Sequence, residues 1–500
     1  MSTMSTFTSW PPDLTLEQLD QLTLLATTYA LSHSLLYLPP YSPEKQPPPA
    51  PESAIHAPFS LLPTPIPRQL FAQALSLQRA YNTLYARIAL DTAFLDQVMG
   101  SGGISDIDDF TGALWSAWKR LRDEGVPPPL HLGLFRSDYL LHQPTTNDPV
   151  SLKQVEFNTI SASFGALSQQ VAGMHRYLVE STEYFGISPL LASDNLPLND
   201  TVKGLAEGLE EAHRAYGISN AHVLFVVQPN ERNIFDQRLL EYQLFQSHGI
   251  RVTRQTFAEL GTTASISPSR ALLVAPISSG LNGTPVEISV VYYRAGYTPV
   301  DYASPADYAT RALLESSHAV QCPSLALQLA GGKKVQEVLT RPGVLERFLS
   351  PSEGAALVRN SWVRLWGLDK GDGAGADEAV REANELVIKP QREGGGNNIY
   401  RDKIPSFVAQ LPQRERPAWV AMELIRPPRE VGAHLLRSGS ERVHTRVVSE
   451  LGVFGWALFG EGRELKEEQA GWLVRTKAED VDEGGVAVGF SVLDSVLLVE

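Results

Sequence analysis

Five hundred residues are enough to bury a large core across two or three lobes, and 43% hydrophobic with 20% charged residues are globular proportions that exclude a disordered chain. A net charge of −14, from 42 Lys plus Arg against 56 Asp plus Glu, argues against nucleic acid or an anionic membrane as partner. The single cysteine, Cys322, excludes an intrachain disulfide and a thiolate metal cluster and points to a reducing compartment.

The Ser- and Thr-rich start, Met1 to Trp10, has neither signal-peptide nor transit-peptide character, so a cytoplasmic chain is expected. Thr15 and Gln18 have the spacing of a capping box, opening a helix with Leu16, Leu19, Leu22 and Leu25 on one stripe. Eleven prolines between Pro39 and Pro67 predict an extended connection wrapping the surface, or else an interdomain linker. Arg68 to about Leu121 has helical periodicity. From His222 to Phe257 the order is strand (HVLFVVQ), turn (PNERN), helix (IFDQRLLEYQLFQSH, closed by Gly249) and strand (IRVTRQTF). With ALLVAPI and EISVVYYRAGY as further strands, residues 205–318 are expected to form an α/β lobe of their own, Gln228 lying at the carboxyl end of a buried strand. The last third alternates strands (ELVIKP, WVAMELI, VVSELGVFG, WLVRT, VAVGFSVLD) with connectors, and Asp369 to Glu385 reads as a solvated acidic insertion. No apolar run approaches the roughly 18 residues a spanning helix needs.

Three segments carry chemistry. In KPQREGGGNNIY, Lys389 to Tyr400, three glycines free the backbone to approach phosphates, Lys389 offers a point charge and Glu393 a hard oxygen for Mg²⁺; a mobile hairpin turn is the alternative. In QVEFNTISASFG, strand alternation puts Glu156 and Asn158 on one face, able to share a Mg²⁺, and Ser161 to Ser163 form a small-residue turn suited to a carboxylate; an ordinary strand edge and turn is the alternative. Upstream, Arg136 is a candidate carboxylate clamp. In the third segment, Arg475 and Lys477 share a strand face ahead of a Gly-rich loop, Gly484 to Gly489, small enough to close on a substrate. The histidines have no zinc-ligand spacing, and Cys322 reads as a core thiol.

These stretches, with QPNERNIFDQR, YYRAGYTP, LAGGKKVQ and SELGVFG, resemble the eukaryotic glutathione synthetase family over almost the whole chain. The resemblance implies an α/β ATP-grasp fold of the circularly permuted eukaryotic type, with helical N-terminal padding and an inserted Rossmann-like substrate lobe. It divides the chain into residues 1–204, 205–318 and 319–500, and implies a homodimer joining γ-glutamylcysteine to glycine with ATP and Mg²⁺. Carried over, Glu156, Asn158 and Glu393 hold the metal. The nucleotide site comprises Glu156, Lys333, Lys389, Pro390, Gln391, Arg392, Glu393, Gly394, Gly395, Gly396, Asn397, Asn398, Tyr400, Met422, Glu423, Leu424, Ile425, Glu450, Lys477 and Glu483. The peptide and product site comprises Arg136, Ile160, Ser161, Ala162, Ser163, Gln228, Arg294, Ala295, Gly296, Tyr297, Arg475, Val486 and Ala487. Arg475, Arg392 and Lys389 are the expected catalytic charges, in a cleft expected to be cationic. Ala295 departs from the acidic residue usual after the Arg of this turn, and Glu483, next to Asp482, stands where Asp is usual. A ligase accepting β-alanine and a non-catalytic nucleotide-binding scaffold are the rival readings.

Overall fold

The computed structural model describes residues 10–500 except 43, 45, 127–129, 278–282, 370–374, 394, 430, 439–440, 483 and 487–488. The strands are β1 (Leu36–Tyr37), β2 (Ile55–His56), β3 (Phe59–Ser60), β4 (Thr64–Pro67), β5 (His131–His142), β6 (Ser151–Asn158), β7 (His222–Val226), β8 (Val252–Gln255), β9 (Ala264–Ile266), β10 (Leu272–Val274), β11 (Val286–Tyr293), β12 (Val320–Cys322), β13 (Leu365–Gly367), β14 (Leu386–Lys389), β15 (Ile399–Tyr400), β16 (Val420–Glu423), β17 (Gly432–Leu436), β18 (Arg442–Phe459), β19 (Lys466–Ala478), β20 (Ser491–Asp494) and β21 (Val496–Val499). One mixed sheet runs β17-β3-β20-β19-β18-β5-β12-β11-β10-β9, with β6 on β5, β7 on β11 and β8 on β7. A second, antiparallel sheet runs β13-β16-β14-β15.

Helices α1 (Leu16–Ser32), α2 (Arg68–Leu90), α3 (Thr92–Met99), α4 (Asp109–Asp123), α5 (Gly165–Thr182), α6 (Thr201–Tyr216) and α7 (Ile234–His248) pack around the large sheet. Its longest strand shows how: Gly455 lies against Asn82 of α2, while the next residue, Trp456, lies against Gly208 of α6, so the two helices cover opposite faces. Both contacts are close enough to require glycine, since a Cβ would come within 2.6 Å of Asn82 and 2.7 Å of Trp456. The small sheet packs Trp366, Ile388 and Ala421 against α9 (Gly375–Arg381) and α10 (Ile404–Gln410), which follow α8 (Lys333–Leu339) in the chain.

Four expectations need correction. The capping box is present, but Leu16 is exposed and Leu25 half-buried; the buried face of α1 is Leu19, Leu22, Ala26 and Ala30. The proline-rich stretch does not stay at the surface: residues 56–67 are buried, β3 enters the large sheet between β17 and β20, and β4 pairs with β21. Prolines are compatible with this because Phe59 and Ser60 supply the donors inside the sheet, while Pro65 and Pro67 lie in a short edge strand. The acidic segment carries α9, whose Ala376 and Ala379 are buried with Ala383 against the small sheet. The β7-α7-β8 unit forms as read, closed by Gly249 at φ +68, yet residues 205–318 have no sheet of their own, because parallel pairing of β11 with β12 and β12 with β5 joins their strands to the rest.

Candidate active site

A cleft of about 420 Å³ opens between the end of the large sheet, the small sheet and the carboxyl end of β7. One wall is built by strand register. On β5, Arg136 and Asp138 point to one face, opposite Asn158 and Glu156 of β6; on the other side Gly452 of β18 faces Asp138, and Glu450 faces Arg475 of β19. Asp138 has no solvent exposure and takes Arg136 bidentately, at 2.6 and 2.8 Å, Arg475 at 3.0 Å and the Asn158 amide at 2.9 Å. Glu450 is the second partner of Arg475. Burial acts against the Arg475 charge, but Glu450 and Asp138 raise its pKa above the ordinary value; burial raises that of Glu450 against the pull of Arg475.

The second cluster joins three elements. Lys333, at the start of α8, places its ammonium 3.2 Å from Glu156 of β6 and 2.9 Å from Glu393, in the turn after β14. Lys389 ends β14 and donates to the Val155 carbonyl at 3.1 Å. Burial would raise the Glu156 pKa, yet Lys333 and then Lys389 bring it down to about 2; Glu393 shares Lys333 but is raised by burial and by the charge of Glu156. Burial lowers Lys389. A single cation therefore already stands between the two carboxylates. Asn158 uses its NH₂ on Asp138 and on the Arg136 carbonyl at 3.1 Å, which leaves its carbonyl oxygen available. Two carboxylates and an amide oxygen are hard donors that fit Mg²⁺, and among the described residues no cluster of three or more His, Cys, Asp or Glu side chains competes.

At the far end, the turn before α5 carries two non-glycine residues in the left-handed region, Ser161 at φ +52 and Phe164 at φ +69. Asp236 of α7 holds it by accepting the N–H groups of Phe164 and Ala166, both at 2.9 Å, while Arg294 donates to the Ala162 carbonyl at 3.0 Å. Gln228 donates to Asp301 at 2.7 Å and to the Tyr297 hydroxyl at 3.1 Å.

The cleft is lined by Arg136, Glu156, Asn158, Ile160, Ser161, Ser163, Gln228, Arg294, Tyr297, Lys333, Lys389, Arg392, Glu393, Gly395, Asn397, Asn398, Tyr400, Met422 to Ile425, Glu450, Arg475, Lys477 and Val486, all expected from the sequence. Pro390, Gln391, Gly396, Ala162, Ala295 and Gly296 do not line it: Gln391 caps the Lys334 N–H and the Ala418 carbonyl, Ala295 is buried, and Gly296 gives its N–H to Asp301. Gly394, Glu483 and Ala487 lie outside the described residues. Arg392 is paired with Asp108 at the start of α4. Among the described residues, eight basic and seven acidic side chains line the cleft and most of the basic ones are already paired, so its positive excess is small. Sequence reading missed Asp138, Glu231, Asn233 and Arg401, and it named Asp482, which lines the cleft, only as the neighbour of Glu483. Alternation two residues from Arg136 could have found Asp138, and the turn after β7 could have found Glu231 and Asn233.

The family model for "Eukaryotic glutathione synthase, ATP binding domain" matches residues 16–498. Among curated proteins, glutathione synthetase of Homo sapiens is 38% identical over 485 residues, 96% of this chain and 97% of that protein. The chloroplastic glutathione synthetase of Arabidopsis thaliana is 38% identical over 449 residues, 89% of this chain and 79% of that protein. Among solved structures, a glutathione synthetase like-effector from Globodera pallida, in apoform, shares the fold with a TM-score of 0.74 at 23% identity, covering 97% of this chain and 98% of that one.

Proposed function

This chain belongs to the eukaryotic glutathione synthase family and is an ATP-dependent ligase, and from that premise we propose how its cleft joins γ-glutamylcysteine to glycine. The observation that carries the reading is that the carboxylate pair Glu156 and Glu393, bridged by Lys333, shares one cleft with the Arg136–Asp138–Arg475 network. The first set suits ATP and its metal, the second the carboxylates of a peptide.

In the proposed sequence, the cysteinyl carboxylate of γ-glutamylcysteine attacks the γ-phosphorus of ATP, giving an acyl phosphate and ADP. The glycine amine then attacks the acyl carbon, and phosphate leaves with one of the former carboxylate oxygens. Lys389 and Lys333 supply fixed positive charge to the transferring phosphoryl group, and Arg475 and Arg136 hold the peptide in line. Glu156, Glu393 and Asn158 would hold Mg²⁺, which when bound supplies charge neutralisation across the phosphates. Asn397, Asn398, Tyr400 and Met422 to Ile425 would bind the nucleotide with Lys477. Arg392, tied to Asp108, would fix the base of the Gly-rich hairpin that excludes water from the acyl phosphate. Ser161, Ser163, Gln228, Arg294 and Tyr297 would take the γ-glutamyl end, and the 484–489 loop, with Val486 and Ala487, would close on glycine.

The same reading assigns an ATP-grasp architecture of the permuted type, with residues 205–318 as a Rossmann-like substrate part whose strands continue the large sheet, between parts 1–204 and 319–500, and a homodimer in the cytosol. Among the described residues no helix is long and apolar enough to cross a membrane. Incubation with ATP, γ-glutamylcysteine and either glycine or β-alanine, followed by mass spectrometry, tests the reaction. Glutathione as the dominant product supports it; a β-alanine product in excess assigns a different acceptor, and no ATP turnover with either favours a scaffold.

A further inference from the structure

We propose that Asp138 is a positioning residue that orients both arginines and the Asn158 amide toward their ligands. The inference rests on the peptide-site reading of Arg136 and Arg475. Asp138 itself does not line the cleft; its carboxylate lies behind it, without solvent exposure. Its Oδ1 accepts from Arg136 Nε at 2.6 Å. Its Oδ2 accepts from Arg136 at 2.8 Å, Asn158 at 2.9 Å and Arg475 at 3.0 Å. One carboxylate thus fixes three side chains from three strands, two on the proposed peptide site and one on the proposed metal site. The bidentate bond sets the plane of the Arg136 guanidinium, and the amide bond decides which way the Asn158 oxygen turns.

The neighbouring backbone is shaped for this carboxylate. Gly452 faces Asp138 across the β5–β18 pair, and a Cβ there would come to 2.9 Å from both Asp138 Oδ1 and Arg136 Cδ. The glycine leaves the space in which the pair lies flat against β18. The two features predict one phenotype from two unlike substitutions: Asp138→Asn removes the charge and half of the acceptor capacity, whereas Gly452→Ala keeps every charge and displaces the pair.

The test is steady-state kinetics at saturating Mg²⁺, with γ-glutamylcysteine binding measured by calorimetry, on Asp138→Asn, Gly452→Ala and, as a control for the peptide site, Arg475→Ala. Both positioning variants should raise the KM and Kd for γ-glutamylcysteine about tenfold or more while the KM for ATP changes less than about twofold. If kcat falls with an unchanged dipeptide KM and Kd, Asp138 serves folding alone and the proposal is overturned. If Arg475→Ala weakens the dipeptide and neither other variant does, the positioning role fails and the peptide site stands. If Arg475→Ala also leaves the dipeptide untouched, the peptide-site reading itself fails, and the proposal with it. Should Asp138→Asn not fold, Gly452→Ala decides alone by the same criteria.

Discussion

The two charge clusters of the cleft differ in what holds them. Arg136, Asp138, Glu450 and Arg475 sit on adjacent strands of one sheet, and backbone register alone brings them face to face. Glu156, Lys333, Lys389 and Glu393 come from a strand, a helix start, a strand end and a Gly-rich turn, joined by a lysine ammonium rather than by backbone pairing. The first cluster is held in place by main-chain pairing that needs no ligand. On the proposed function, the second would exchange its lysine for a metal ion and phosphate, since Lys333 is held to both carboxylates by side-chain contacts alone. On the proposed function, peptide recognition would rest on a preorganised wall and phosphoryl transfer on a set of charges that the nucleotide completes.

The contrast predicts opposite signatures for substitutions in the two clusters. On the hairpin side, Glu393→Gln should lower Mg²⁺-dependent turnover by about 10³-fold, since several kcal/mol of charge stabilisation are lost, while its thermal melting stays close to that of the parent. On the wall, Arg475→Ala should raise the KM for γ-glutamylcysteine by about 10- to 100-fold and also lower the melting temperature, because Asp138 and Glu450 keep their charges without this partner. Equal loss of stability in both variants would erase the distinction.

A third prediction concerns the floor of the wall, where Asp494 of β20 is buried and accepts the hydroxyls of Thr64 and Thr476, each at 2.7 Å. Burial raises its carboxyl from 3.8 to about 7. The folded state then holds a proton that the unfolded chain releases, so stability falls as pH rises from about 4 to 7, by on the order of 4 kcal/mol. Denaturant unfolding between pH 5 and 8 should show this slope in the parent and a flatter one in Asp494→Asn. The smallest effect belongs to Cys322→Ser: the thiol is buried, its pKa is pushed far up by that burial, and the chemistry does not use it, so turnover should be retained with a stability loss of about 1 kcal/mol.

The hairpin side was the more legible from sequence. Its residues lie within short segments, Glu156 to Asn158 and Lys389 to Tyr400, whose alternation and glycines announce a role locally. The wall was legible only in part. Arg136 and Arg475 could be named, but they lie 339 positions apart, and that a buried Asp138 joins them follows from long-range pairing of β5, β18 and β19. The same long-range pairing hid the continuity of the large sheet through β12. At Ala376, Ala379 and Ala383, helical spacing of small apolar residues was present and was outweighed by the surrounding acids.

The most direct measurement follows the carboxylate oxygens of γ-glutamylcysteine. With both oxygens of the cysteinyl carboxylate labelled as ¹⁸O, the account predicts one ¹⁸O in each phosphate released and one in the new amide of glutathione, because the carboxylate attacks the γ-phosphorus and the amine then displaces phosphate. Unlabelled phosphate, with the label leaving by another route, would contradict acyl phosphate formation in this cleft.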